Sequence, residues 1–188
     1  MQLRAHHAIV FSAYKQLLDP LGLVGPDVLE IGCGPGELTA RMIERYGGTA
    51  TLLDSSPVAL RMAAENFRRH GLRARLLKKD IFKSKAIGKF DVVHSEGLIE
   101  HFEGARQKQM VRAHSRAVRP GGYVLICVPR PKWYYSIWRA RLEARGRWPY
   151  GHEVPMTAAQ LTNVLERAGL HVINTLERTR YTFALAKV

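Results

Sequence analysis

Cysteine is scarce. Cys33 and Cys127 are the two in 188 residues, and neither stands in a CxxC or Cys/His spacing, so neither a disulfide framework nor a structural zinc site is expected. Long apolar runs are missing as well. No stretch approaches the roughly 20 residues that a membrane-spanning helix needs, and Met1 to His7 do not lead into a small-residue cleavage site. A cytoplasmic protein is the expectation. Acidic residues are few, 16 against 29 Lys and Arg, giving a formal net charge of +13. That excess suits polyanionic partners, RNA or an anionic membrane surface, and equally an Arg-rich solvated surface. Charge alone does not separate these. Repeats, low-complexity tracts and linkers are also missing, and a chain 46% hydrophobic and 24% charged has the composition of an ordinary globular protein. One domain over residues 1–188 is expected.

What is present is an alternation of helix-like and strand-like segments. Apolar residues at helical spacing (Ile9, Val10, Tyr14, Leu17, Leu18) predict an N-terminal helix over residues 5–19, stopped by Pro20 and Gly22. Strand signals follow at Asp27 to Ile31, Thr49 to Asp54, Arg73 to Leu77 and Phe90 to His94. Helices are predicted from Glu37 to Tyr46, from Ser56-Pro57 to Gly71 and from about Glu103 to Val118. Tyr123 to Val128 is nearly all apolar, as a parallel strand buried on both faces would be. A Thr157-capped helix and two closing strands, Leu170 to Leu176 and Arg180 to Ala186, end the chain. The pattern implies an α/β fold: a doubly wound, Rossmann-like, seven-stranded sheet with an antiparallel terminal strand and helices on both faces.

Gly32-Cys33-Gly34-Pro35-Gly36 places three glycines at alternate positions between a strand and a helix. Such glycines permit positive φ and close approach of a ligand to the backbone, at the carboxyl end of a strand where open α/β sheets bind ligands. A dinucleotide loop would read GxGxxG and seat a pyrophosphate on the helix N-terminus. Here the spacing is GxGxG, and Glu37 at the helix start would repel a pyrophosphate. No GK[ST] follows, which excludes a P-loop. A cationic ligand without phosphate, such as S-adenosylmethionine, tolerates both Glu30 and Glu37.

These residues resemble the class I S-adenosylmethionine-dependent methyltransferases, and the resemblance runs from Asp27 to the C-terminus. Gly32, Cys33, Gly34 and Gly36 match the family's first motif, which implies that Glu30 lies near the methionine amino group. Asp54, at the end of the second strand, matches the acidic residue that takes both ribose hydroxyls, with Ser55 beside the adenine. Lys79-Asp80-Ile81-Phe82 matches the third motif, where Asp80 meets the adenine amino group and the Ile81 amide meets the ring. Phe90 to Ser95 looks like the fourth strand, with Ser95 at the floor of the methionine pocket, and Arg119-Pro120-Gly121-Gly122 precedes the fifth. The resemblance implies S-adenosylmethionine as cofactor and S-adenosylhomocysteine as product, in the branch that methylates small molecules.

Methyl transfer is an in-line displacement at an activated carbon, so positioning and water exclusion supply much of the catalysis. No metal is expected. Where the acceptor must lose a proton, Glu96, Glu100 and His101 in Glu96-Gly97-Leu98-Ile99-Glu100-His101 are the best-placed candidates, with His101 as the base; the alternative is that His101 caps or orients the helix after it. His152 and Glu153 are a second pair expected on the acceptor side. His6, His7, His70, His114 and His171 read as surface or helix-flank residues, and Cys127 as a small buried hydrophobe. The [DNS]-P-P-[YF] of base amino-group methylation is missing, as is a Pro-Cys pair for attack on a pyrimidine.

Residues 129–155 form an insert after the fifth strand. It holds all three tryptophans, Trp133, Trp138 and Trp148, and over 129–150 six basic residues oppose Glu143 alone. A lid placing Trp133, Trp138 and His152 against a small acceptor is the leading expectation. An amphipathic helix on an anionic membrane, RNA stacking and a packing helix with a solvated basic face are the alternatives. The function expected is methyl transfer to a small-molecule acceptor. An RNA methyltransferase, or a non-catalytic S-adenosylmethionine-binding protein with an RNA or protein partner, is the alternative.

Overall fold

The computed structural model describes residues 2–84, 87–148 and 151–188, with only the backbone of residues 2–5. Pro149 and Tyr150 of the insert lie outside the described residues. The elements, in order, are α1 (Gln2–Leu18), β1 (Asp27–Ile31), α2 (Glu37–Tyr46), β2 (Thr49–Asp54), α3 (Pro57–Arg69), β3 (Arg75–Lys78) and β4 (Phe90–Glu96). They continue with α4 (Gly104–Ala117), β5 (Val118–Pro129), α5 (Trp133–Glu143), α6 (Ala158–Arg167), β6 (His171–Glu177) and β7 (Tyr181–Lys187). Single 3-10 turns follow α1 (Asp19–Leu21) and β4 (Ile99–His101).

The period-two pattern of the strands sets the layers. In β5, Val124, Ile126 and Val128 face one way, against Met110 and Val111 of α4 and Leu161 and Leu165 of α6. Leu125 and Cys127 face the other way, against Val10, Tyr14, Leu17 and Leu18 of α1 and Leu38 and Met42 of α2. A third cluster joins Leu52 of β2 to Leu60, Ala63 and Phe67 of α3. Each such aliphatic side chain contributes roughly 1.5–3 kcal/mol on burial, which is why both faces are covered. The Ser56 hydroxyl accepts from the Ala59 amide to start α3, with Pro57 in its first turn. Thr157 and Gln160 form a reciprocal capping box on α6.

The strand order is β3-β2-β1-β4-β5-β7-β6. β1 to β5 pair in parallel, and β7 pairs antiparallel with both β5 and β6. The antiparallel strand is thus the last in the chain, yet it lies inside the sheet, and β6 forms the edge. β5 begins at Val118 rather than at Tyr123. Residues 119–122 remain extended but bulge, because the register jumps from Phe90↔Val118 to Val92↔Tyr123. Gly122 is required there, since a Cβ would stand 2.7 Å from the Asp91 carbonyl oxygen. The strand order reverses direction between β1 and β4, so loops leaving their carboxyl ends diverge and open a crevice.

Candidate active site

The loop from β1 to α2 stands over that crevice. Gly32, Gly34 and Gly36 have φ of 68°, 50° and 67°. The amides of Gly32 and Cys33 both donate to the Leu53 carbonyl, at 2.8 and 3.1 Å, and the Gly36 amide closes onto the Cys33 carbonyl at 2.8 Å. A Cβ at Gly32 would touch Leu98 at 3.0 Å and one at Gly36 would press Leu52 at 2.9 Å, whereas a Cβ at Gly34 would meet nothing within 4 Å. Open space therefore lies above Gly34, the middle of the loop. Cys33 is buried, and burial pushes its thiol up, so it contributes shape rather than a nucleophile.

Asp54 ends β2 beside this loop. Its Oδ2 accepts from the Gly34 amide at 3.1 Å and its Oδ1 from the Ser56 amide at 2.8 Å. Each oxygen keeps acceptor capacity toward a ligand diol. Exposed Ser55 follows directly. The Lys79 amide donates to the Asp54 carbonyl at 3.2 Å and so brings the Asp80-Ile81 turn to the same edge. There the Asp80 carboxylate accepts from the Phe82 amide at 2.9 Å, and Ile81 is buried. Glu37 opens α2, paired with Arg41 at 2.8 Å and Asn66 at 3.1 Å. That paired carboxylate occupies the positive end of the helix, where a pyrophosphate would have to sit. The residues fit a phosphate-free nucleoside ligand.

Two expected site residues are hydrogen-bonded within the fold. Glu30 is buried under α2, where the Thr39 hydroxyl donates to its Oε2 at 2.6 Å. Thr39 Oγ1 lies 2.8 Å from His94 Nε2, and His94 Nδ1 lies 3.3 Å from the Tyr14 hydroxyl. One proton direction satisfies the whole chain: Tyr14 donates to His94, His94 to Thr39, and Thr39 to Glu30. Burial pushes the Glu30 carboxyl up to about 8 and His94 down to about 3. Ser95 likewise turns its hydroxyl inward, 3.0 Å from His114 Nε2, while His114 Nδ1 donates to the Met110 carbonyl at 2.9 Å. His114 is therefore a fully buried core residue rather than a helix-flank one. The strand alternation explains both placements. His94 points toward α1 and α2, and Ser95 toward α4. The available signal was a titratable residue inside the apolar run of β4, which must find partners when buried.

His101 does not cap α4, whose first turn has no side-chain cap. It sits at the end of the 3-10 turn after β4, and its Nδ1 lies 2.7 Å from the His152 carbonyl oxygen. That nitrogen donates, which leaves Nε2 as the ring's acceptor. The Val154 amide donates to the Glu100 carbonyl at 2.9 Å, so residues 151–156 lie along this turn. The side chain of His152 itself turns outward to Glu103. Glu100 and Glu153 are buried here. Burial pushes the Glu100 carboxyl up to about 8, and the charges of Glu153 and Glu96 add to the rise. Neither carboxylate stood out as a buried pair in sequence, because their partners are brought together only by the fold.

Within the insert, the helix α5 has no buried residue. It is tied down by the Tyr134 hydroxyl on the Thr179 carbonyl and by Arg139 on the Glu153 carbonyl. Trp138 packs edge-on against Trp148 at 5.3 Å between centroids, with Tyr135 behind them. Trp133 stands 75% exposed, its ring against Tyr134. Trp133 therefore faces solvent.

Three comparisons bear on this geometry. A ubiquinone biosynthesis O-methyltransferase of Methylobacterium nodulans is 32% identical over 162 residues, which cover 83% of this chain and 64% of that protein. The chain thus spans less than two thirds of that relative's length. In fold, it resembles the 1,6-didemethyltoxoflavin-N1-methyltransferase of Burkholderia thailandensis, solved with S-adenosylhomocysteine and 1,6-didemethyltoxoflavin. The TM-score is 0.70 at 20% identity, over 93% of this chain and 76% of that one. It also resembles magnesium protoporphyrin IX methyltransferase from Synechocystis PCC 6803, solved with S-adenosylhomocysteine, with a TM-score of 0.76 at 16% identity over 96% and 82% of the two chains. A family model described as a methyltransferase domain matches residues 28–122, the stretch that builds both the glycine loop and the acidic end of β2. The chain belongs to the methyltransferase domain family.

Proposed function

We propose that this chain binds S-adenosylmethionine in the crevice between β1 and β4 and transfers its methyl group to a small-molecule acceptor. The observation that carries the reading is Asp54, whose two carboxylate oxygens are held by the Gly34 and Ser56 amides at the edge of an open glycine loop. Asp54 would accept from the ribose hydroxyls, the Gly32 to Gly36 backbone would lie against the ligand, and the Asp80-Ile81 turn would edge the adenine. Glu30 would act through Thr39 and the loop rather than by touching the ligand. Ser95 would contribute backbone only.

When bound, S-adenosylmethionine supplies a methyl group already activated at a sulfonium. Where the acceptor carries a proton, His101 Nε2 receives it, because Nδ1 is committed to the His152 carbonyl. Residues 129–155 form the acceptor-side insert of a domain spanning residues 1–188. The names of the relative and of the two solved structures concern small molecules, which supports a small acceptor. Among the described residues no helix is long and apolar enough to cross a membrane. RNA is the second reading, favoured by exposed Arg141 and Arg145 on α5. The test is transfer of a labelled methyl group into metabolite and RNA fractions of a cell extract. Label in the metabolite fraction supports the proposal, and label confined to RNA replaces it with the second reading.

A further inference from the structure

The early turns of α1 cross the carboxyl end of β4, and there His6, His7 and Glu96 meet. Each offers one donor atom, and the three atoms lie within 4.8 Å of one another. His6 Nε2 is 2.6 Å from Glu96 Oε1. Its other nitrogen, Nδ1, is 2.7 Å from the Tyr181 hydroxyl at the start of β7. The His6 and His7 rings stand edge to face with centroids 4.9 Å apart. All three residues are half-buried.

An ion pair holding α1 to β4 would need only one of the two imidazoles. Consecutive helical residues diverge by about 100°, so two neighbouring imidazoles reaching one carboxylate is more than such a pair requires. Two imidazoles and one carboxylate are the donor set of zinc sites that keep a coordination position open. A ligating histidine whose second nitrogen is fixed by a hydrogen-bond partner, as Tyr181 fixes His6, is the usual outer shell of such a site. We propose that His6, His7 and Glu96 form a divalent-metal site of zinc type that fastens α1 to the carboxyl edge of the sheet. Donors in a tetrahedral shell at 2.0–2.1 Å stand about 3.3 Å apart. The His6–Glu96 contact must therefore open by under about 1 Å and no separation need close by more than about 1.5 Å, both within reach of side-chain torsions. The site was invisible in sequence because the histidine pair and the glutamate are far apart in the chain. It is independent of the proposed methyl transfer.

The experiment uses the untagged full chain, stripped with chelator and titrated with zinc chloride, and with manganese and magnesium chloride in parallel. Binding is followed by calorimetry and the melting temperature by thermal scan. One zinc per chain with a raised melting temperature is expected, with magnesium much weaker because it prefers oxygen donors. His7→Gln and Glu96→Gln should each weaken zinc binding tenfold or more, while His171→Gln, on the edge strand, should not. Should Glu96→Gln loosen the fold, His7→Gln with unchanged circular dichroism carries the test. No zinc binding, or binding equally tight in His7→Gln and in the parent chain, would overturn the proposal.

Discussion

The backbone N–H of Gly34 donates to the Oδ2 of Asp54 across 3.1 Å. The two residues belong to motifs that read separately in sequence, a glycine loop and an acidic strand end, and the fold makes them one unit. Asp54→Ala removes both the brace on the loop and the proposed acceptor for a ribose diol. Hydrogen bonds to charged groups contribute about 1.5–3 kcal/mol, so S-adenosylhomocysteine affinity should fall roughly ten- to 150-fold by calorimetry. Affinity equal to that of the parent chain would remove Asp54 from the site.

Gly34→Ala separates ligand contact from folding. A Cβ there meets no protein atom within 4 Å, although φ is 50°. The left-handed conformation alone costs about 1–2 kcal/mol. Gly36→Ala adds to the same strain a 2.9 Å contact with Leu52, and should destabilise the chain more. Gly34→Ala should impair cofactor binding more than Gly36→Ala does when both are corrected for the folded fraction. The readouts are thermal melts and calorimetry, and the reverse order of binding defects would place the ligand elsewhere.

The buried titratable groups set a pH optimum for stability. His94 and His114 are held down at about 3 and about 4 by burial. They stay neutral in the fold while the unfolded chain protonates below about 6.5, so their contribution is present above that pH and is lost as pH falls toward 4. Glu30 is pushed up to about 8 by burial. Its contribution is present below the unfolded value near 4.5 and is lost as pH rises to about 8. Each proton carries about 1.4 kcal/mol per pH unit. Glu100 is likewise pushed up to about 8 by burial. Two histidines therefore offset two carboxyls between about pH 4.5 and 6.5, and denaturant melts should show a broad stability plateau there that falls away above pH 6.5. Glu30→Gln should flatten the decline between pH 6.5 and 8; a parallel decline in both proteins would contradict the assignment.

His101→Ala should lower methyl transfer by about 10²-fold or more while leaving S-adenosylhomocysteine affinity nearly unchanged. An unchanged rate, or a defect only in binding, would reduce His101 to holding residues 151–156 through the His152 carbonyl.

The insert's arginines should not behave alike. Arg139 bonds Glu143 at 2.7 Å, reaches the Glu153 carbonyl and lies 5.4 Å from the Trp148 ring centroid, whereas Arg141 and Arg145 are exposed. Arg139→Gln should therefore raise the proteolysis rate of the insert severalfold. Arg141→Gln with Arg145→Gln should leave it unchanged, and should weaken binding to bulk RNA only if RNA is a partner. Equal proteolysis of all variants would contradict the anchoring role of Arg139.

Local chemistry made much of the fold legible. Glu37 to Tyr46 and Thr49 to Asp54 form a helix and a strand with the expected limits, because glycines and a proline punctuate them. The Ser56-Pro57 start of α3 follows from its own side-chain hydrogen bond. What escaped were choices that only the sheet makes. Whether Ser95 faces the crevice or α4 depends on the register of β4, and a residue's side follows from its parity within the strand. Gly121 and Gly122 read as lying before the fifth strand, yet they fall inside it as a bulge because β4 lies alongside. Trp133 reads as a lid residue by its chemistry alone, and its exposure depends on how α5 is tied to Thr179 and Glu153.

The most direct test is a calorimetric titration of the purified chain with S-adenosylhomocysteine, run beside NAD and ATP under the same salt. One molecule of S-adenosylhomocysteine should bind per chain with micromolar-range affinity, and NAD and ATP should give no saturable heat. Saturable binding of NAD or ATP with none of S-adenosylhomocysteine would contradict the reading of the glycine loop and of Asp54 together.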